Sequence, residues 1–239
     1  MPSISSLKQD IQFNDRLAGL LDALKSIAAQ QFQALERTFR VNPAFFSAIE
    51  TIAGTFDLEH IAHPFTQPRG PTGVIAVTSD TGLLGGLNQQ VIVAAMAEYR
   101  QNPGELVIVG ERGVSYAKEF GARYRMFPGV NDQDRHVLAE QVRTYALNEV
   151  LGGRLGRVVI CYPHALSFTM QRVETVAALP CGEWFGNSAA PRGLRSGPLL
   201  VESALVQVVE YLTWLWLGQK LVDVLGSSRL AELSARSVH

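Results

Sequence analysis

An apolar run at residues 74–78 leads directly into a glycine-rich turn and then into a helical pattern that starts at Asn88. A strand, a turn and a helix in this order form the opening unit of an α/β sheet. Strand-like runs follow at residues 106–109, 158–161 and 170–177, and helical patterns lie between them at residues 88–100, 114–120 and 136–151. The middle of the chain therefore predicts a Rossmann-like, doubly wound α/β domain.

A long amphipathic helix is predicted before this domain. Apolar side chains recur at helical spacing through residues 5–42, and the recurrence is close to seven residues at Leu17 and Leu24, which is typical of a coiled coil. Pro43 lacks an amide hydrogen and disfavours helical geometry at Asn42. We expect a break there, with the helical pattern resuming until about Gly54.

The last segment, residues 199–239, returns to a helical pattern of apolar residues. A helix of about forty residues is roughly 60 Å long, whereas a domain of about 110 residues is only some 35 Å across. The first helix must then project beyond the domain, and its apolar stripe needs a partner. We expect the N- and C-terminal helices to pair as an antiparallel two-helix coiled coil.

These patterns divide the chain into five parts. They are an N-terminal shaft helix at 1–60, a turn-rich linker at 61–72, a central α/β foot domain at 73–182, a loop at 183–198 and a C-terminal shaft helix at 199–239.

The charge balance argues against some classes of partner. The formal net charge is −1, so no clustered positive charge favours nucleic acid. The most apolar late run, at residues 212–217, is flanked by Glu210 and Lys220 and is far shorter than the ~20 residues that span a bilayer. We expect no binding of nucleic acid and no direct insertion into the membrane.

The glycine-rich turn could also be considered as a phosphate site, because it lies between a strand and a helix. Its spacing, Gly82-x-x-Gly85-Gly86, matches neither dinucleotide nor P-loop motifs, no lysine follows, and Asp80 would repel an anion. We expect glycines that shape the backbone, with Asp80 and Asn88 bracing the turn. No catalytic residue, metal site or cofactor is predicted. The alternative is a stand-alone α/β protein that binds a nucleotide or phosphate and dimerises through its helical arms.

The turn also resembles the signature of a known family, the gamma subunit of F-type ATP synthases. The family pattern reads Thr/Ser-Asp-Arg-Gly-Leu-Cys-Gly-Gly-Leu-Asn, and this chain carries Thr81 in place of Arg and Leu84 in place of Cys. Weaker similarity occurs at residues 109–115, 153–160 and 231–238. The matching residues of the turn are Thr78, Ser79, Asp80, Gly82, Leu83, Gly85, Gly86, Leu87 and Asn88.

This resemblance implies a non-catalytic rotor subunit in the central stalk of an ATP synthase. Such a subunit couples ion-driven rotation of the membrane c-ring to ATP synthesis or hydrolysis in the alpha and beta subunits. The implied partners are the alpha and beta subunits, the epsilon subunit and the c-ring. The implied location is peripheral, at the cytoplasmic face of a bacterial inner membrane.

Two departures from the family concern the shaft. Family shafts are basic near the segment that corresponds to residues 20–29, but residues 1–72 here carry six basic and seven acidic side chains. Family members also continue beyond the position of Val238, so the shaft tip is missing from this sequence, which is a fragment or a shortened variant. The candidate contacts between shaft and catalytic head are Leu20, Asp22, Leu24 and Lys25.

The loop before the last helix supplies a candidate contact with the c-ring. Its residues are Glu183, Trp184 and Phe185. The alternative is that the two aromatic side chains pack beneath the domain.

Overall fold

The computed structural model describes residues 4–39, 41–56, 58, 61–67, 69–181, 184 and 202–238. Six helices and five strands are formed in this part of the chain. In chain order they are α1 (Ile4–Thr38), α2 (Pro43–Thr55), β1 (Thr72–Val77), α3 (Leu87–Gln101), β2 (Pro103–Val109), α4 (Glu111–Glu119), β3 (Tyr124–Phe127), α5 (Arg135–Leu151), β4 (Arg157–Ala165), β5 (Gln171–Leu179) and α6 (Leu205–Val238).

The five strands form one sheet in the order β3-β2-β1-β4-β5. Strands β1 to β4 are parallel and are joined through helices, whereas β5 pairs antiparallel with β4. The sequence did not predict β3, because it has four residues and its central pair is exposed. A parallel sheet that reverses its strand order beside β1 is the predicted doubly wound arrangement.

Both faces of the sheet are covered. On β1, Val74 and Ala76 face the helices α3 and α4, while Ile75 and Val77 face the opposite layer. That layer contains α5, α2 and the first half of α6, whose Trp216 is 6% exposed. The last helix was predicted as part of a shaft, but its first half also closes this face of the sheet. A helical apolar stripe does not distinguish a sheet from a second helix as its partner.

The predicted break at Pro43 is confirmed. Helix α1 ends at Thr38 and α2 starts at Pro43, where the side chain of Asn42 accepts the amide of Phe45 at 3.2 Å. Proline at the first turn of a helix loses no hydrogen bond. After α2, the segment predicted as a linker is anchored to the core: Phe65 is 1% exposed and its carbonyl oxygen accepts the amide of Cys181 at 2.6 Å.

Helices α1 and α6 pair antiparallel. Phe39, just after the end of α1, lies against Gly226 in the middle of α6, while Phe32, two turns earlier in α1, packs with Leu233, two turns later in α6. The predicted fold class, an antiparallel helix pair carried by a Rossmann-like domain, is confirmed. None of the described helices is both long enough and apolar enough to cross a bilayer.

The first two thirds of α1 carry no such partner in the described part of the chain. Only Ala28, Phe32 and Leu35 are buried along this 35-residue helix. The large apolar side chains that are exposed before them are Ile4, Leu7, Ile11, Phe13, Leu17, Leu20, Leu21, Leu24 and Ile27.

Candidate functional site at the glycine-rich turn

The glycine-rich turn, residues 78–88, leaves the carboxyl end of β1, and its first residue joins two strands. Thr78 is 2% exposed. Its hydroxyl donates to the carbonyl oxygen of Val109 at 2.7 Å and accepts the amide of Gly113 at 3.1 Å. A Cβ atom at Gly113 would lie 2.6 Å from the same hydroxyl. Thr78 therefore holds the start of α4 against the end of β1.

Ser79 and Asn88 close the turn on itself. The amide of Ser79 donates to Oδ1 of Asn88 at 3.1 Å, and Nδ2 of Asn88 donates to the hydroxyl of Ser79 at 2.9 Å. The hydroxyl of Ser79 also lies 2.7 Å from the carbonyl oxygen of Thr81. Reciprocal bonds of this kind satisfy backbone groups that no strand or helix pairs.

Asp80 ties the turn to two other loops. One carboxylate oxygen accepts the amide of Glu111, the first residue of α4, at 2.8 Å, and the other accepts the amide of Gly129 at 2.9 Å. The carboxylate thus occupies the helix N-terminus at which a phosphate could otherwise bind. Asp80 and Asn88 brace the turn as the sequence predicted.

The tip of the turn directs one side chain beneath α6. Leu83 and Gly85 have positive φ angles of 62° and 56°, a conformation that a leucine rarely adopts. This geometry leaves Leu83 68% exposed, while Leu84 is 3% exposed in a cluster with Ala231 and Ala235 of α6. The turn is therefore a seat for the last helix.

A buried charge cluster lies beside this seat. Glu232 of α6 is 4% exposed and accepts a hydrogen bond from Arg229 at 2.9 Å, with Arg236 at 3.7 Å. Arg236 in turn donates to the hydroxyl of Thr81 in the turn, and Arg229 lies 3.7 Å from Asp132. Burial outweighs the two arginines and raises the pKa of Glu232 to about 7.

The hairpin between β4 and β5 holds the same helix through a second set of contacts. The hydroxyl of Ser234 donates to the carbonyl oxygen of Phe168 at 2.7 Å and accepts the side-chain amide of Gln171 at 2.6 Å. The ring of Phe168 packs edge-on against Phe32 of α1, with centroids 5.2 Å apart. The turn and the hairpin together fix the helix pair to the sheet domain.

This arrangement is mechanical in character. In doubly wound sheets, ligands bind in the crevice where the strand order reverses, which here lies between β1 and β4. Leu84 and Leu87 of the turn, with Ala231 of α6, fill that place, and Ala165 at the end of β4 packs against them. The crevice is occupied by the protein itself, which disfavours the alternative of a nucleotide- or phosphate-binding protein.

The candidate contacts between shaft and head all lie on the unpaired part of α1. Leu20 and Leu24 are 58% and 43% exposed. Asp22 is exposed and Lys25 is partly exposed. All four side chains are accessible to a partner.

Trp184, the central residue of the candidate c-ring contact, is buried, unlike the candidate contacts of the shaft. Trp184 is 8% exposed and stacks on Trp216 with centroids 4.5 Å apart and planes at 5°. The side chain of Trp184 packs as the alternative of packing beneath the domain describes, and its contact with the c-ring stays a prediction. Glu183 and Phe185 lie outside the described residues.

Sequence reasoning missed several residues of this site. Ser234 and Gln171 join α6 to the hairpin, and Gly129 leaves room for the carboxylate of Asp80, to which a Cβ atom would come within 2.6 Å. Their partners are far away in the chain, so no local spacing pattern marked them. The departure from the family pattern at Thr81 could have pointed to the buried charge cluster. The hydroxyl of Thr81 accepts a hydrogen bond from Arg236, a member of that cluster.

Comparison with known proteins gives a consistent result. The family model described as ATP synthase matches residues 3–239. The ATP synthase gamma chain of Clostridium beijerinckii is 27% identical over 238 residues, covering 96% of this chain and 81% of the relative. The gamma chain of Pelotomaculum thermopropionicum is 22% identical over 187 residues, covering 75% of this chain and 66% of the relative.

Solved structures share the fold. The central stalk and c-ring structure of the Tetrahymena thermophila mitochondrial ATP synthase contains a chain that aligns with a TM-score of 0.67 at 20% identity, covering 91% of this chain and 96% of that one. A chain of the Euglena gracilis mitochondrial ATP synthase rotor aligns with a TM-score of 0.62 at 16% identity, covering 97% and 87%.

Proposed function

The chain belongs to the ATP synthase gamma family, and on this premise we propose that it works as the central-stalk rotor between a membrane c-ring and a catalytic head. It is a non-catalytic subunit. The proposed partners are the alpha and beta subunits, the epsilon subunit and the c-ring. The proposed location is the cytoplasmic face of a bacterial inner membrane.

One observation supports this proposal above the others. Helix α6 contributes both to the sheet domain, through Leu212 and Trp216, and to the helix pair, through Leu233. Torque that enters at the sheet domain therefore reaches the helix pair through continuous α-helix, with the glycine-rich turn and the hairpin as side supports. A rotor needs this stiffness, because rotation that the joint absorbed would not reach the head.

The contact between shaft and head is proposed to be mainly apolar. Nine large apolar side chains are exposed on α1 before Ala28, and the acidic and basic residues of this region balance. Ion pairs would give strong orientation-dependent attraction, whereas an apolar surface is non-directional. Such a surface lets the shaft turn without deep energy wells.

A reversible crosslink tests the proposal. Cysteine is introduced at Leu24 and at a facing position of the beta subunit in the complex with alpha and beta. The native thiols do not interfere, because Cys161 and Cys181 are buried and burial raises their pKa values to about 11 and about 12. Oxidation is expected to stop ATP turnover, and a reductant is expected to restore it.

The control places the cysteine at Val93, an exposed position on α3 of the sheet domain. Oxidation should leave its turnover unchanged. The proposal is refuted if the chain does not co-purify with alpha and beta subunits, or if the Leu24 crosslink forms fully while turnover continues.

A further inference from the structure

A groove lies on the outer surface of the layer formed by α2, α5 and α6, away from the glycine-rich turn. Its volume is about 360 Å³. Apolar side chains line much of it, and polar groups are placed among them. The apolar lining includes Phe45, Ala139, Leu215 and Val222, and the polar lining includes His136, Glu140, Arg143 and Gln219.

Arg143 is the unusual member of this lining, because it is buried without adequate pairing. Its side chain is 10% exposed, and its Nε has no hydrogen-bond partner among the described residues. The nearest carboxylate, Glu140, is 3.8 Å away, beyond hydrogen-bond distance, and is itself 68% exposed. Burial lowers the pKa of the guanidinium. A buried cation of this kind is stabilised by an additional carboxylate.

Two exposed aromatic rings continue the surface from Arg143. The guanidinium carbon lies 3.7 Å from the ring centroid of Trp214, and Tyr211 lies nearly parallel to Trp214 with centroids 6.3 Å apart. Trp214 is 42% exposed and Tyr211 is 61% exposed. Gly218 makes the stack possible, since a Cβ atom there would collide with Nη1 of Arg143. Arginine, tryptophan and tyrosine are the residues that dominate binding energy at protein interfaces.

We propose that this groove docks an acidic segment of another protein of the rotor assembly. A carboxylate of that segment pairs with Arg143, and a neighbouring apolar side chain covers Trp214. The inference rests on the proposed function for the existence of the assembly, but the groove and the exposed segment of α1 are separate surfaces. Both can therefore be occupied at once.

Charge favours an acidic protein segment over other occupants. The Nε of the buried guanidinium has no acceptor among the described residues, and a carboxylate of an acidic segment supplies one. Nucleic acid is disfavoured because Glu140 flanks Arg143 and the formal net charge of the chain is −1. The apolar lining suits side chains of a peptide segment, with the carboxylate fixing its position.

A photocrosslinking amino acid at position 211, introduced into the whole complex and purified with its subunits, tests this inference. Irradiation is expected to join residue 211 to a segment that carries Asp or Glu within one helical turn of the crosslinked site. Arg143→Met and Gly218→Ala should each reduce the yield about tenfold, because both remove the guanidinium from its place. Gly218→Ala keeps the arginine, so it serves where Arg143→Met folds poorly.

The matched control is Arg100→Met. Arg100 also lies over an aromatic ring, Phe120, but it is exposed on the other side of the sheet, so the yield should not change. Replacing Arg143 by Glu should abolish the crosslink, and changing the identified partner carboxylate to Lys should restore it.

Three results overturn the inference. They are no crosslink in a complex that contains alpha and beta subunits, a crosslink to a segment without a carboxylate, and a crosslink to a second copy of this chain. In all three the complex is assembled, so the proposed function stands. A chain that fails to assemble with alpha and beta refutes the proposed function and removes this docking partner with it.

Discussion

The carboxylate of Asp80 accepts the amide of Gly129 at 2.9 Å, and a Cβ atom at residue 129 would lie 2.6 Å from the same carboxylate. Only glycine allows this approach without displacement of the aspartate. Because Asp80 also accepts the amide of Glu111, one side chain joins the loops that follow β1, β2 and β3. The position of the seat beneath α6 depends on this junction.

Asp80→Asn is expected to lower the free energy of unfolding by about 1.5 kcal/mol, because one of the two amides then faces an NH₂ group. This value is at the low end for hydrogen bonds to charged groups, since the side chain is exposed and solvent screens it. Urea denaturation gives the measurement. Asp10→Asn, at an exposed position of α1, is the control and should have no effect. Equal stability of the Asp80 variant and the wild type would contradict the bracing role.

Gly226→Ala should destabilise the chain, although alanine favours helix. The added methyl group collides with the ring of Phe39 at the base of the helix pair, and overpacking of this kind costs about 1 to 3 kcal/mol. Gly19→Ala is the matched control in α1, where nothing lies within 4 Å of the added atom. That variant should gain up to about 1 kcal/mol from helix propensity. If both substitutions change the free energy of unfolding in the same direction, Gly226 is not closely packed against Phe39.

Glu232 should give stability a dependence on pH. Burial raises its pKa from the ordinary 4.5 to about 7 in the folded protein, so between these two pH values the folded state holds a proton that the unfolded state has released. The unfolding free energy should therefore fall as the pH rises from about 4.5 to about 7, and then level off. Glu232→Gln should remove this fall, whereas Glu119→Gln, at an exposed position of α4, should keep it. If the free energy of unfolding depends on pH in the same way for the wild type and Glu232→Gln, Glu232 is not the source of the pH dependence.

Trp184→Ala should lower the free energy of unfolding by about 3 to 5 kcal/mol, the usual cost of removing a large aromatic side chain from a core. The stacked partner Trp216 would lose its neighbour, and thermal and urea denaturation would both report the loss. Phe13→Ala, at a 67% exposed position of α1, is the comparison and should be near neutral. If the Trp184 variant folds and is as stable as the wild type, Trp184 does not contribute to the core.

The sequence was sufficient where one local pattern decided the structure. The apolar run of β1 and the break before Pro43 were both predicted, since strand periodicity and proline geometry act within a few residues. Strand β3 was not, because Tyr124 and Phe127 at its ends are only partly buried and its centre is exposed. The double role of α6 was also missed, since Trp216 and Leu233 fit a helical stripe equally well.

The site shows the same division between local and distant causes. Asp80 and Asn88 could be recognised as bracing residues, because turns of this kind commonly use such side chains. The bonds from Ser234 to the hairpin could not be predicted, because the partners belong to distant segments and both are ordinary surface-type residues. The burial of Trp184 could not be predicted, because its stacking partner Trp216 comes near it only in the folded chain.

The uninterrupted helix α6 determines where this rotor can deform elastically. A rotor that stores energy between steps needs a compliant element, and a hinge between base and axle would be the natural location. Here the same uninterrupted helix belongs to both parts, and it is clamped from two sides near Ala231 and Ser234. Elastic deformation is therefore displaced outward along the axle, away from this clamped junction.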